Sequence, residues 1–243
     1  MANIKNRDIA EKNVQSSKGV AFRVAEALRL IRTNLLYTLA NTDNRVVLFS
    51  SAEPSAGKST VCSNLALIMA QSGARVLLID ADMRRPVQHR HFRMRRTDGL
   101  SKILAGMATF EECLHKEVSP NLDLLMVGSI PPNPSELLGS DRMRELLDKA
   151  SQEYDYIFVD TPPICVVADA LVLAPMAAGV VLVTRQGQTS YEEVEESLDA
   201  ISQIDAVLLG VVITDADSEQ KSYVRSYNRR YYRYANYRYG ERV

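Results

Sequence analysis

Residues 50–60, Ser-Ser-Ala-Glu-Pro-Ser-Ala-Gly-Lys-Ser-Thr, constrain this 243-residue chain more than any other stretch. They follow the apolar run Val46-Val47-Leu48-Phe49 and precede a helical segment, Val61 to Gln71. A strand, a loop of small residues, Gly57-Lys58-Ser59 and a helix form the layout of a phosphate-binding loop. In such a loop, backbone N–H groups and a helix N-terminus surround polyphosphate oxygens. The candidate nucleotide-binding residues are Ala52, Glu53, Pro54, Ser55, Ala56, Gly57, Lys58, Ser59 and Thr60. Lys58 is expected to reach the β- and γ-phosphates and Ser59 to hold Mg²⁺. The pattern G-x-x-x-x-G-K-[ST] asks for glycine where Ala52 stands, the smallest departure available.

Two carboxylate motifs strengthen this reading. Val76-Leu77-Leu78-Ile79-Asp80-Ala81-Asp82-Met83-Arg84 is an apolar strand that delivers two aspartates and an arginine at its C-terminal end. Tyr156-Ile157-Phe158-Val159-Asp160-Thr161-Pro162-Pro163 is another strand ending in an aspartate. Ligands of open parallel sheets bind outside the carboxyl ends of the strands. Asp80, Asp82 and Asp160 are therefore expected to converge on the Lys58 loop as oxygen ligands to Mg²⁺ and as a base. Helix capping or turn formation explains any one of these aspartates, but explains all three beside Gly57-Lys58-Ser59 poorly.

Strands alternating with helices imply an α/β fold, a mostly parallel sheet of the P-loop NTPase type with helices on both faces. The periodicity places a helix at Ala21–Leu39, with Val24, Leu28, Ile31 and Leu35 as its apolar stripe, and another at Ser59–Ser72. Short helices are expected at Leu100–Leu104 and Thr109–Glu117, and a strand at Leu122–Val127. A longer helix, capped by Ser135, runs to about Gln152. Beyond the Asp160 strand come a helix at Val167–Met176, a strand at Val180–Thr184, a helix at Ser190–Ile204 and a strand at Leu208–Ile213. The organisation read from this is a flexible arm at 1–20, one P-loop domain at 21–214 and a mobile tail at 215–243.

Composition narrows the setting. Hydrophobic residues make up 46% and charged residues 24%, as in soluble globular proteins. Cys62, Cys113 and Cys165 show no C-x-x-C spacing, and His89, His91 and His115 form no metal pattern, which points to a reduced, cytoplasmic setting. Met1 to Lys18 is polar, so no secretory leader is expected. Ala170 to Thr184 lacks charges, but it is shorter than the roughly 20 residues a membrane span needs, and Pro175 and Gly179 interrupt it.

Charge is unevenly divided. Residues 220–243 hold seven Lys/Arg against Glu241 alone, a net +6, so residues 1–219 hold 22 Lys/Arg and 29 Asp/Glu, a net −7. The tail also concentrates Tyr223, Tyr227, Tyr231, Tyr232, Tyr234, Tyr237 and Tyr239 without leucine, isoleucine or phenylalanine. A second cationic stretch, Arg84 to Arg96, reads either as a phosphate- or acid-binding surface or as a solvated loop.

Together these residues resemble the bacterial tyrosine kinases that accompany polysaccharide synthesis and export, in particular the stand-alone cytoplasmic type. The family's Walker A loop corresponds to Ala52–Thr60, its A-prime motif to Val76–Arg84 and its Walker B motif to Tyr156–Asp160. Its C-terminal tyrosine cluster corresponds to Tyr223–Tyr239, and its E-x-x-R-x-x-R oligomerisation motif to Glu26, Arg29 and Arg32. Pro131-Pro132-Asn133-Pro134-Ser135-Glu136-Leu137-Leu138 is also similar to a family segment. Departures are Pro54-Ser55-Ala56-Gly57-Lys58, where the family often has Pro-Gly-Glu-Gly-Lys, and Thr214, where relatives often carry asparagine near the base. Septum-placing and partition ATPases carry a signature lysine where this chain has Glu53.

The resemblance implies ATP- and Mg²⁺-dependent transfer of phosphate to tyrosine. Lys58, Asp80 and Asp82 are the implied catalytic residues, Ser59, Asp82 and Asp160 the metal-linked ones, and Thr60 lies near the α-phosphate. Asp80 is the expected base and Asp82 its support, since a tyrosine hydroxyl with a pKa of about 10 needs help to lose its proton. The implied partners are further copies of the chain in a ring, a membrane activator that recruits it to the inner face of the plasma membrane, and a protein-tyrosine phosphatase. Nucleic acid is not expected. The competing class is a switch ATPase whose Tyr/Arg tail binds nucleic acid by stacking and phosphate contacts.

Overall fold

The computed structural model describes residues 22–216. The arm at 1–20 and Tyr223–Tyr239 lie outside the described residues. Seven strands form one sheet in the order β3-β4-β2-β5-β1-β6-β7, where β1 is Val46–Ser51, β2 Val76–Asp80, β3 Leu114–Ser119, β4 Leu122–Leu125, β5 Tyr156–Asp160, β6 Gly179–Arg185 and β7 Leu208–Thr214. All neighbours pair in parallel except β3 with β4.

The central strands are apolar on both faces because both faces are covered. Val46 and Leu48 of β1 join one core with Leu77, Ile79, Ile157 and Val159. Their alternating neighbours Val47 and Phe49 join the other with Val76, Leu78 and Phe158. The Phe49 and Phe158 rings meet at 5.1 Å between centroids.

The second core is roofed by α1 (22–38) and α2 (Lys58–Gln71), through Leu35, Val61, Leu65 and Met69. The first core lies under α4 (Leu100–Leu104), α5 (Phe110–Cys113), α6 (Pro134–Leu138), α7 (Asp141–Glu153), α8 (Asp169–Leu173) and α9 (Tyr191–Gln203), while the short α3 (Gln88–His91) follows β2. In α7, Met143, Leu146, Leu147 and Ala150 supply the apolar face at helical spacing.

Three expectations are corrected. Helix α5 stops after one turn, and Leu114–Ser119 becomes an antiparallel edge strand instead of helix. The Thr109–Glu112 capping box is real, but pairing with β4 outweighs the local preference beyond Cys113. The expected Ser135–Gln152 helix is split at Gly139-Ser140: Ser140, not Ser135, caps α7 by accepting from the Met143 N–H. Finally, Val24 is 53% exposed, so the buried stripe of α1 begins at Leu28.

Candidate functional site

The loop after β1 turns back into α2 through residues with positive φ. Ser55 (φ 67°) and Gly57 (φ 92°) take left-handed backbone conformations, of the kind that anion-binding nests use. The left-handed backbone suits Gly57, and a Cβ there would lie 3.2 Å from Thr214 Cγ2. Thr214 buttresses the loop through its hydroxyl, which donates to the Ala56 carbonyl at 2.7 Å. Glu53 is drawn aside by the Thr189 hydroxyl, which donates to its carboxylate at 2.7 Å.

Lys58, first residue of α2, is buried, and its ammonium lies 3.0 Å from Asp82 Oδ2 and 3.4 Å from Asp160 Oδ1. Its Nζ also donates to Ser59 Oγ at 3.2 Å. Burial alone would lower the Lys58 pKa, but Asp160 and Asp82 outweigh it, holding the ammonium above the ordinary lysine value. Sheet order explains the convergence: β5 lies between β1 and β2, so Asp160 reaches the loop from one neighbouring strand end and Asp82 from the next.

The two aspartates of the β2 motif have different surroundings. Asp80 is 1% exposed and its carboxylate accepts from the backbone N–H groups of Val87 (3.2 Å), Gln88 (3.0 Å) and Asp82 (3.3 Å). Burial and then the Asp160 carboxylate push its pKa well above the usual aspartate range, against the opposing Gln88 N–H. Asp82, 4% exposed, lines the cavity, and its Oδ1 accepts from the Arg85 N–H at 2.9 Å.

That cavity, about 660 Å³, is walled by Pro54, Ser55, Gly57, Lys58, Ser59 and Thr60 from the loop. Asp82, Arg84, Arg85, Val87, Arg90 and His91 line it from the segment after β2, and Pro162, Pro163, Val166 and Val167 from the segment after β5. Ala52 and Ala56 are buried behind the loop instead.

Two features went unrecognised in the sequence. Gln88 is fully buried, and its Nε2 donates to Asp160 Oδ2 (2.8 Å) and to the Ser59 carbonyl (3.3 Å). Its Oε1 is buried without a partner among the described residues. A glutamine inside a cationic stretch gives no signal of such a role. The other is Asp169, fully buried at the start of α8, which holds Arg84 by both oxygens at 2.9 and 3.0 Å and accepts from the Ser135 hydroxyl. Arg84 thereby ties the β2 motif to the Pro131–Leu138 segment.

A protein-family model described as an AAA domain matches residues 44–209. Tyrosine-protein kinase YwqD of Bacillus subtilis is 41% identical over 189 residues, covering 78% of this chain and 80% of that protein. The chain belongs to the bacterial tyrosine kinases. EpsB of Ralstonia solanacearum, whose name carries a provisional tyrosine-protein kinase assignment, is 41% identical over 215 residues. That match covers 88% of this chain, which spans only 28% of EpsB's length. The kinase domain of Escherichia coli tyrosine kinase ETK superposes with a TM-score of 0.74 at 38% identity, covering 79% of this chain and 77% of that one. The Pyrococcus furiosus cell division ATPase MinD, at 21% identity and a TM-score of 0.61, shares the fold.

The remaining family motif lies on α1. Glu26 and Arg29 form an exposed ion pair, Arg32 is half-buried, and none of the three lines the cavity. No helix among the described residues is long and apolar enough to cross a membrane.

Proposed function

We propose that this chain is an ATP- and Mg²⁺-dependent protein-tyrosine kinase that phosphorylates its own C-terminal tyrosine cluster in trans between subunits. The observation that carries the proposal is the meeting of Lys58 with Ser59, Asp82 and Asp160 at one cavity, in a chain about 40% identical to named tyrosine kinases.

The donor set fits a hard divalent cation: Ser59 Oγ and the carboxylates of Asp82 and Asp160 are all oxygen donors gathered around one ammonium. These residues would hold Mg²⁺, which when bound neutralises phosphate charge. The N–H groups of 55–60 cradle polyphosphate oxygens, and Lys58 stays cationic where charge develops on the transferred group. Of the two aspartates only Asp82 lines the cavity, which supports it as acceptor of the tyrosine proton. Asp80 then orders the turn that carries it, the reverse of the division of labour read from sequence.

Glu26, Arg29 and Arg32 build a ring in which one subunit's tail enters its neighbour's site, and a membrane activator recruits the ring to the inner face of the plasma membrane. A protein-tyrosine phosphatase resets the tail, and the cycle regulates capsular or exopolysaccharide synthesis and export. The basic tail is attracted to the acidic body. Seven phosphates would take it from +6 to roughly −4.5 to −8, dissolving the ring.

The test is incubation with ATP and Mg²⁺, with and without Lys58→Ala, and mass spectrometry of the tail. Phosphate on Tyr223–Tyr239 that disappears in the variant supports the reading. A tail unmodified even with an activator's cytoplasmic segment present would favour a switch ATPase.

A further inference from the structure

Part of the cationic stretch 84–96 enters the cavity, and the chemistry proposed so far leaves it without a role. Arg84 is engaged by Asp169. Arg85 and Arg90 are exposed, line the cavity, and form no ion pair among the described residues. Val87, Val166 and the Pro162-Pro163 pair add apolar surface to the same cavity.

These groups and the phosphate loop approach the same cavity from different strand ends. That loop extends β1, the prolines extend β5 and the arginines extend β2, with β5 in the middle. The arginines therefore wall the cavity from a different segment than the backbone amides that cradle polyphosphate, and the two segments meet where Gln88 donates to the Ser59 carbonyl at 3.3 Å. An unpaired guanidinium presents a fork of donors that matches carboxylate and phosphate oxygens. Its position is unusual for this body, since residues 1–219 carry a net −7.

We propose that this wall is an acceptor subsite selecting tyrosines with negative charge beside them. The acceptor ring lies against the prolines and valines, and Arg85 and Arg90 take the neighbouring anion. The inference rests on the kinase reading and names its substrate class. Aspartate or glutamate in another protein and phosphotyrosine in the tail offer the same chemistry. For the tail, the consequence is kinetic. The unmodified tail, at +6, is drawn to the acidic body as a whole but meets like charge at Arg85 and Arg90, and each phosphotyrosine formed favours the next at this wall. Tail phosphorylation is then self-accelerating.

The test uses three tyrosine peptides of equal length, flanked by glutamate, phosphotyrosine or serine, with the full chain. Steady-state kinetics are joined by fluorescence anisotropy of the matching Tyr-to-Phe peptides bound to the ADP·Mg²⁺-loaded protein. The expected result is a KM about tenfold lower for either anionic peptide than for the serine peptide, from two charge-assisted contacts. Arg85→Gln with Arg90→Gln should collapse that ratio toward one, and the Arg→Lys pair should restore part of it. A preference for the phosphotyrosine peptide alone supports the subsite and assigns it to the tail; one for glutamate alone supports it and assigns it to other proteins. Equal affinities for all three peptides overturn the proposal, as would a Gln pair that raises the KM for ATP and leaves the peptide ratio intact. If no peptide is phosphorylated the kinase reading fails, while the anisotropy series still decides whether the anion-selective wall exists.

Discussion

Gln88 donates a 2.8 Å hydrogen bond to Asp160 Oδ2, while Lys58 faces Oδ1 of the same carboxylate at 3.4 Å. The Asp160 carboxylate is therefore oriented from both sides, by a cation on one oxygen and an amide on the other. Outer groups of this kind fix the direction in which a carboxylate presents itself to metal and its waters. Gln88→Leu should raise the Mg²⁺ concentration needed for nucleotide binding by about 10- to 100-fold. Titrating Mg²⁺ against a fluorescent ADP analogue reads this without turnover, and an unchanged midpoint would remove Gln88 from the metal's surroundings.

Asp80 provides a pH test. Its folded pKa is raised above the ordinary 3.8, by burial first and then by Asp160. Its contribution to stability is therefore fully present below 3.8 and is lost as pH rises through the elevated folded value. Lys58 does not interfere, because its raised pKa acts only above 10.5. Asp80→Asn should flatten the decline in melting temperature as pH rises from 3.8 when measured without nucleotide or metal. A difference between wild type and variant that does not change with pH would be incompatible with Asp80 titrating there.

Gly57→Ala tests the loop itself. The backbone there is left-handed, and the added methyl would press on Thr214 Cγ2 at 3.2 Å. The conformational part should cost about 1–2 kcal/mol, measurable by denaturant unfolding. Adding Thr214→Ser removes the obstructing methyl but keeps the hydroxyl that bonds Ala56. The double variant should recover the contact part of the loss and none of the rest; full recovery would mean that φ carries no strain.

Asp169 joins Arg84 to Ser135 from a fully buried position. Asp169→Ala removes a charge-assisted acceptor from the partly exposed Arg84 and Ser135 and should destabilise the protein by about 1–3 kcal/mol, with Asp169→Asn losing less because one acceptor survives. A double-mutant cycle with Arg84→Ala isolates the pair. Additive losses would show that the two residues are not coupled.

Much of the fold was legible because its signals are local. The runs Val46–Phe49, Val76–Ile79 and Tyr156–Val159 are continuous and apolar because strands covered on both faces have no solvent side. The edge strand β3 was not legible: Thr109 and Glu112 start a helix correctly, and nothing local says that Leu114 leaves it to pair with Leu125. Ser55 illustrates a subtler limit. It occupies a positive-φ position, a conformation the loop imposes on a residue that does not prefer it.

The sequence by itself determined that a small-residue loop joins a strand to a helix and that three aspartates stand at strand ends, since each feature involves neighbours along the chain. Only the tertiary structure decided what those aspartates do. Asp80 faces the N–H groups of its own following turn, whereas Asp82 faces the cavity and Lys58. Asp160 receives Gln88 from 72 residues away, and Arg84 finds Asp169 across 85. Hydrogen bonds over such separations depend on which strands lie side by side, and strand order is set by how the two cores pack against the sheet rather than by any stretch of sequence.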